Sequence, residues 1–562
     1  MALDFDDVLE SVGSYGSYQR WLIGAVFVPI SFFAAVTMNL MLFQVVEPDH
    51  WCYVPEPTNT TLTKEEWKAL TIPRNLESNT YHKCAMYGVE WNDNNHTTYA
   101  ITNETRECSS GWEHDASQFS ATVATSFGWV CERARYSHHV LSVTMAGNTV
   151  GTFFLPLIAD KYLGRKKVFF LSLAIHVVFT ISYIWVSHIG LHLALRFFQG
   201  LSFETYYLMP YIIVLEMIPP EKRAVATMYS FVSWTLGMCF TALVAWLLPQ
   251  WQYLAFLSCV PSIVGFLYWR YLPESPRWLL SKGQLQQCSD ILLEVARVNG
   301  TTKVSGQHLE SDLRDLMLTQ PQAVPLTHAC AYPKLRLRAV LLFIMAYCMF
   351  VVYGVLMLGI NVMPSNYFLS HFILSASELP SNVLGWLITH YLGRRFMCFI
   401  TYLLAAVFAV VATYCVHDEW LLMSVVAMVK LLATQGLYVV FLMASEIFPT
   451  PIRTSGYGIT IVFGMLAMVV SPYILHSTFG PAFQYWVMVV LSLVSLLASI
   501  FLPETLGLPL PQTFQEAEDL GAGRPFTAWV HHWNQHKYPP HASSRPNACC
   551  PEELDELTTK KL

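Results

Sequence analysis

EMIPPEKR at 216–223 has a counterpart in EIFPTPIR at 446–453, with Glu and Arg at matching places and the two starts 230 residues apart. DKYLGRKK from Asp160 is echoed by THYLGRRF from Thr389, 229 residues on, and the acidic tips Pro273-Glu274 and Pro503-Glu504 repeat at 230. A ladder of pairs at one offset marks an internal duplication, and its period far exceeds the roughly 20–50 residues of solenoid repeats. The chain reads as two domain-sized halves.

Composition says where those halves sit. The 562 residues are 54% hydrophobic and 13% charged, against about 25% charged in globular proteins, so much of the chain must face lipid. Apolar runs near the roughly 20 residues that cross a hydrocarbon core of about 30 Å recur throughout. Spans are read at 21–46, 138–158, 167–187, 191–215, 224–248 and 251–272, then 339–360, 367–389, 396–416, 420–445, 455–475 and 483–502. The expected fold is all-α and integral to the membrane: twelve transmembrane helices in two pseudo-symmetric six-helix halves. An N-terminal segment (1–20) precedes the first half (21–272, with a large loop at 47–137); a linker (273–338), the second half (339–502) and a tail (503–562) follow.

Lys and Arg in short loops favour the cytoplasm. Lys161, Arg165, Lys166 and Lys167 follow span two, Lys222 and Arg223 span four, Arg394 and Arg395 span eight, and Arg453 span ten, while short connections on the other side, such as 187–191, 417–420 and 476–482, carry none. Both termini are therefore expected inside, in a multi-pass protein of the plasma membrane. The first twenty residues, with Asp4, Asp6, Asp7 and Glu10, are unlike the basic start of a cleavable signal. The 47–137 loop falls outside. Its Cys52, Cys84, Cys108 and Cys131 suggest two disulfides, with three pairings left open, and its sequons at Asn59, Asn95 and Asn103 suit a glycosylating compartment. A fourth sequon, at Asn299, falls inside and is expected to stay bare. The tail, rich in Pro and His and ending near Cys549-Cys550, reads as disordered.

Halves related by an axis along the membrane normal are the mark of major facilitator carriers, which rock one half against the other. Glu216 with Arg223, and Glu446 with Arg453, repeat at the inner ends of spans four and ten. With Asp160, Arg165, Glu274, Arg277, Arg394 and Glu504 they are read as charge networks across the inner helix ends, holding the inner side closed and separating when it opens. DKYLGRKK resembles the loop signature of the major facilitator superfamily, and PESPRWLL at 273–280 resembles a motif shared by sugar porters and the organic ion carriers of solute carrier family 22. DFDDVLESVGSYGSYQ, PDHWC at 48–52 and CSSGWEHDASQF at 108–119 resemble the second group, near its organic cation and carnitine branch. Pro156 and Thr389 depart from the loop signature.

Ionisable residues inside spans are costly and tend to face cavities. Arg196 and Glu204 lie in span four, Glu378 in span eight and Lys430 in span ten. The resemblance implies that Glu378 faces the central cavity, that Lys430 occupies a basic position, and that Tyr207, Tyr353 and Tyr438 line the cavity. It also implies that Met465 stands where cation carriers have Asp and many anion and carnitine carriers have Arg, and that Glu204 reverses a usual Lys. Glu204 and Glu378 against Lys430 sum to about minus one, which favours an amine or zwitterion over an anion, while Arg196 reads as structural.

The expected function is alternating-access transport of small organic cations or zwitterions, with an organic anion carrier or sugar porter as the alternative within transport. A receptor is the alternative outside it. No nucleophile and base, metal-ligand spacing or GxxxxGK[ST] loop occurs. The chain therefore reads as neither an enzyme nor an ATP-driven pump, and as needing no cofactor, no metal and no nucleic acid. Its expected partners are a small organic ion and the bilayer, and coupling to sodium or protons stays open.

Overall fold

The computed structural model describes residues 5–13, 15–57, 62–74, 81–91, 99–301, 306–319, 326–359, 365–477, 479–480, 482–506, 508 and 510–521. Among these, ten helices are long and apolar enough to cross a membrane: Ser17–Gln44, Cys131–Leu163, Arg165–Ile184, Val225–Leu247, Trp251–Trp269, Pro333–Leu358, Arg394–Tyr414, Glu419–Ile447, Thr450–Leu475 and Phe483–Ile500. They are spans one, two, three, five, six, seven, nine, ten, eleven and twelve of the expected set.

Spans four and eight are each built in two pieces, and neither piece alone is long enough to count. Span four runs Ile189–Gly200 and Phe203–Glu216, and span eight Tyr367–Ala376 and Glu378–Leu392. Serines at the joints satisfy carbonyls the breaks would strand: Ser202 Oγ donates to Gln199 O at 2.6 Å and Ser377 Oγ to Leu374 O at 2.7 Å. Lipid offers no partner for a freed backbone group, so such breaks survive only where protein or a cavity surrounds them. Glu204 and Glu378 both lie in the first turn of the second pieces. Pro156 sits inside span two, which ends in a π turn at Ala159–Leu163. The Thr389 side chain lies outside the described residues.

Glycines let spans two and four approach closely. A Cβ on Gly147, Gly151 or Gly200 would meet a backbone carbonyl oxygen of the facing helix at 2.1 Å. The two halves meet through spans two and eleven and through spans five and eight: Asn148 Nδ2 lies 3.6 Å from Met465 Sδ, and Asn382 Nδ2 donates to Thr235 Oγ1 at 3.2 Å. Toward the 47–137 loop the seam is dense. His138 and His476 stack with centroids 3.7 Å apart, His139 Nδ1 and Tyr473 Oη are 2.9 Å apart, Tyr367 N donates to Gln118 Oε1 at 3.0 Å, and Phe43 stacks on Phe368.

In the loop itself, strand β1 (His50–Cys52) pairs antiparallel with β4 (Trp112–His114), and β2 (Ala85–Trp91) with β3 (Tyr99–Glu107). Of the three open pairings the structure has Cys52–Cys108 and Cys84–Cys131. Asn103 is exposed on β3; Asn59 and Asn95 lie outside the described residues.

Short helices on the opposite face carry most of the linker: Pro276–Ser281, Leu285–Asn299 and Gly306–Thr319. The sequon residue Asn299 clamps the N-terminal segment, its Nδ2 donating to Gly13 O at 2.8 Å and to Gln19 Oε1 at 3.0 Å while Oδ1 accepts from Tyr18 N at 3.0 Å. The tail corrects the reading of disorder after Pro503. A helix at Phe514–Asp519 places Glu518 over the start of span seven, where its carboxylate accepts from Lys334 N at 3.0 Å and Leu335 N at 2.8 Å. This caps donors the helix leaves orphaned. Residues 522–562, with Cys549 and Cys550, lie outside the described residues.

Replacing Gly147 by Val should drive spans two and four apart and abolish monodisperse protein on size-exclusion in detergent, whereas Gly458→Ala, which meets open space, should leave the yield unchanged.

Candidate functional site

The ionisable residues of the membrane interior occupy three separate places. Lys430 Nζ lies 2.9 Å from Glu378 Oε1, with the two side chains 2% and 4% exposed, and the ammonium stands over the Tyr353 ring, 3.6 Å from its centroid. The Glu378 carboxylate, expected to attract cargo, is thus already neutralised. An ion pair this deep persists because either charge alone would be far costlier than the pair.

Glu204 is different. The ion pairs among the described residues leave it without a partner. Its backbone N–H donates to Asn148 Oδ1 at 3.0 Å, and the same Asn148 reaches Met465. The position where the family resemblance implies a charge therefore holds a thioether, which cannot compensate Glu204. Tyr207, Tyr353 and Tyr457 lie close enough to feel its charge. Tyr207 Oη is tied to Ser230 Oγ at 3.0 Å and its ring stacks on Tyr211 at 5.7 Å; Tyr438 is near enough to Tyr211 for the two hydroxyls to interact electrostatically. Tyr457 was not singled out from sequence, because one Tyr among 28 carries no signal until span eleven is placed against span four.

Arg196 is fully buried in a network of its own. It donates to Gln44 Oε1 at 2.8 Å and Gln199 Oε1 at 3.3 Å, and stacks over Tyr183 at 3.8 Å.

The repeated motifs assemble on the face opposite the 47–137 loop, and each copy builds the same device. Arg165 Nη2 pairs with Glu216 at 3.1 Å and Asp160 at 3.2 Å; Arg394 Nη2 pairs with Glu446 at 3.0 Å. Glu274 accepts from the backbone N–H of Arg165 at 2.9 Å and of Lys166 at 3.2 Å; Glu504 accepts from Arg394 at 2.9 Å and Arg395 at 3.0 Å. The acidic tips therefore cap the N-termini of spans three and nine, where orphan donors and the helix dipole favour a carboxylate. Burial raises the Glu274 carboxyl above its ordinary range, and these N–H donors pull it back. Gly164 and Gly393 turn with φ of +88° and +84°, and a Cβ on them would meet the Glu274 and Glu504 carboxylates at 2.2 and 2.7 Å.

Two sequence expectations change here. Arg223 does not serve as the partner of Glu216: it binds Leu215 O at 3.1 Å and Asp6 at 3.3 Å, and Arg277 also pairs with Asp6. Arg453 holds Phe448 O at 3.1 Å and Pro511 O at 3.0 Å. Every ion pair named in these networks stays inside its own half. Helix ends of one half sit close together whatever the other half does, so local pairing wins over pairing across the seam.

The family model for sugar (and other) transporters matches residues 81–516. Among curated proteins, the β-alanine transporter of Drosophila melanogaster is 29% identical over 92% of this chain and 89% of its own length. The carcinine transporter of the same fly is 28% identical over 92% and 80%, and organic cation transporter 1 of Caenorhabditis elegans 27% identical over 92% and 89%. Among solved structures, the xylose transporter XylE from E. coli, in a partially occluded inward-open conformation, matches with a TM-score of 0.56 at 15% identity over 88% of this chain and 100% of that one; this likeness bears on the fold alone.

Glu378→Gln strands Lys430 and should cost about 3–5 kcal/mol, read as a lower unfolding midpoint of the purified protein in detergent. Glu378→Gln with Lys430→Gln should recover most of that loss; a double variant no more stable than the single one would contradict the pairing.

Proposed function

We propose the cargo and the cycle from one premise: the chain belongs to the sugar (and other) transporter family, whose model covers residues 81–516 of its 562. It is a membrane carrier of the major facilitator fold. The cargo proposed is a small organic cation or zwitterion whose ammonium is held near Glu204. One observation carries this reading: among the described residues Glu204 is an unpaired carboxylate at the start of a half-helix, near enough to Tyr207, Tyr353 and Tyr457 for its charge to be felt there. A carboxylate kept unpaired in an apolar bundle is costly unless something cationic visits it, and each ring face adds about 0.5–2 kcal/mol for an ammonium. Relatives named for β-alanine, carcinine and organic cations support the same class. A sugar would leave Glu204 without a counter-charge, and an organic anion would meet it as a like charge.

In the cycle proposed, the networks of Arg165 with Glu216 and Arg394 with Glu446 hold each half rigid. The contacts that must break as the halves rock are those across the seam: Asn148 with Met465, Asn382 with Thr235, and the His138–His476 stack. The carrier is placed in the plasma membrane with both termini cytoplasmic, on the asymmetry of Lys and Arg between the two faces.

Glu204→Gln should lower uptake of a radiolabelled quaternary ammonium by about tenfold or more, or about 1.4 kcal/mol, at matched surface expression; undiminished uptake, or saturable hexose uptake by the wild type, would contradict the proposal. For topology, Asn103→Gln should raise gel mobility by one N-glycan while Asn299→Gln should not change it. A glycan on Asn299 would invert the orientation.

A further inference from the structure

Beside Lys430 lies a small, partly open cavity of about 10 Å³, the size that admits one water or one hydroxyl. Asn39 of span one and His371 of span eight line it together with Met238 and Ser375. Two polar atoms of that lining have no partner among the described residues, Asn39 Oδ1 and His371 Nε2. Asn39 is 0% and His371 3% exposed, so neither can turn to solvent.

Both atoms are acceptors. The Asn39 amide nitrogen donates to Ala35 O at 2.8 Å, which leaves the amide oxygen as the free atom. The Met238 backbone faces the His371 ring, and with Nε2 unpartnered the ring proton is assigned to Nδ1, toward that carbonyl, which leaves Nε2 presenting its lone pair. On the side of the 47–137 loop, Phe43 stands edge-on to His371 at 5.1 Å and stacks on Phe368 at 5.7 Å. Buried acceptors left unmet are costly, and a site built around them selects strongly for a ligand that supplies the donor.

We propose that Asn39 and His371 form a subsite that takes an N–H or O–H donor at the end of the cargo remote from its ammonium, so that the carrier prefers small amines bearing a hydroxyl, imidazole or amide N–H over plain alkyl- or arylammonium ions. This rests on the reading of the chain as an amine carrier. Lys430, at the edge of the cavity, repels the ammonium from this end and directs it toward Glu204, and Tyr353 lies between, under Lys430 and within the field of Glu204. A second ammonium would crowd Lys430.

The test is uptake of tyramine and of phenethylamine, which differ by one phenolic hydroxyl, into vesicles reconstituted with the full chain. The wild type should prefer tyramine in kcat/KM by about tenfold or more. Asn39→Leu and His371→Leu should each collapse that ratio toward one, while His371→Gln, which keeps a side-chain acceptor, should retain most of it. The ratio is taken within each variant, so a loss of folded protein cancels. A wild-type ratio near one, or a preference that survives both leucine variants, would overturn the subsite and leave the two atoms as packing features while amine transport stands. A wild type that moves neither amine would overturn the amine-carrier reading and the subsite with it.

Discussion

The cost of a charge in an apolar helical bundle governs this molecule. Wherever the chain places one at membrane depth it supplies a partner, as Lys430 and Glu378 do at 2.9 Å, or a cage of dipoles and a ring, as Gln44, Gln199 and Tyr183 do for Arg196. Glu204 departs from that rule, and it sits where span four breaks and a half-helix begins. In the function proposed, a free carboxylate at a helix break, rather than the number of acidic residues, marks the place for cargo.

The same constraint explains the repeated motifs. Glu274 and Glu504 use the orphan donors at the starts of spans three and nine as their partners, and Gly164 and Gly393 are glycines because the carboxylates fill the space a side chain would take. Arg165 and Arg394 then tie spans four and ten to the same corners. Each half is tied together on this face, and in the cycle proposed the motion falls at the seam, at the thioether of Met465, the Thr235 hydroxyl and a pair of stacked imidazoles.

The duplication, the span count and the residues at membrane depth were legible in the sequence because hydrophobic runs and the 230-residue offset are local patterns. Pairing was not. EMIPPEKR holds a Glu and an Arg seven residues apart, yet Glu216 bonds Arg165 and Arg223 bonds Asp6, since the partners come from other helices, Arg165–Ile184 and Phe5–Ser11, brought in by the fold. The sum of minus one over Glu204, Glu378 and Lys430 was right in arithmetic and uninformative in space, because two of the three charges cancel at contact distance. The breaks in spans four and eight left no mark in hydropathy, and Asn39 and His371 look like ordinary polar residues of apolar spans until the bonds made by their other atoms are known.

The central claim is that Glu204 holds the cargo while the Lys430–Glu378 pair stays closed. A cryo-electron microscopy structure of the full chain with a bound organic amine tests it most directly. The account predicts the ammonium within about 4–6 Å of the Glu204 carboxylate, with Lys430 still against Glu378. An ammonium seated on Glu378, with Lys430 displaced and Glu204 untouched, would contradict it.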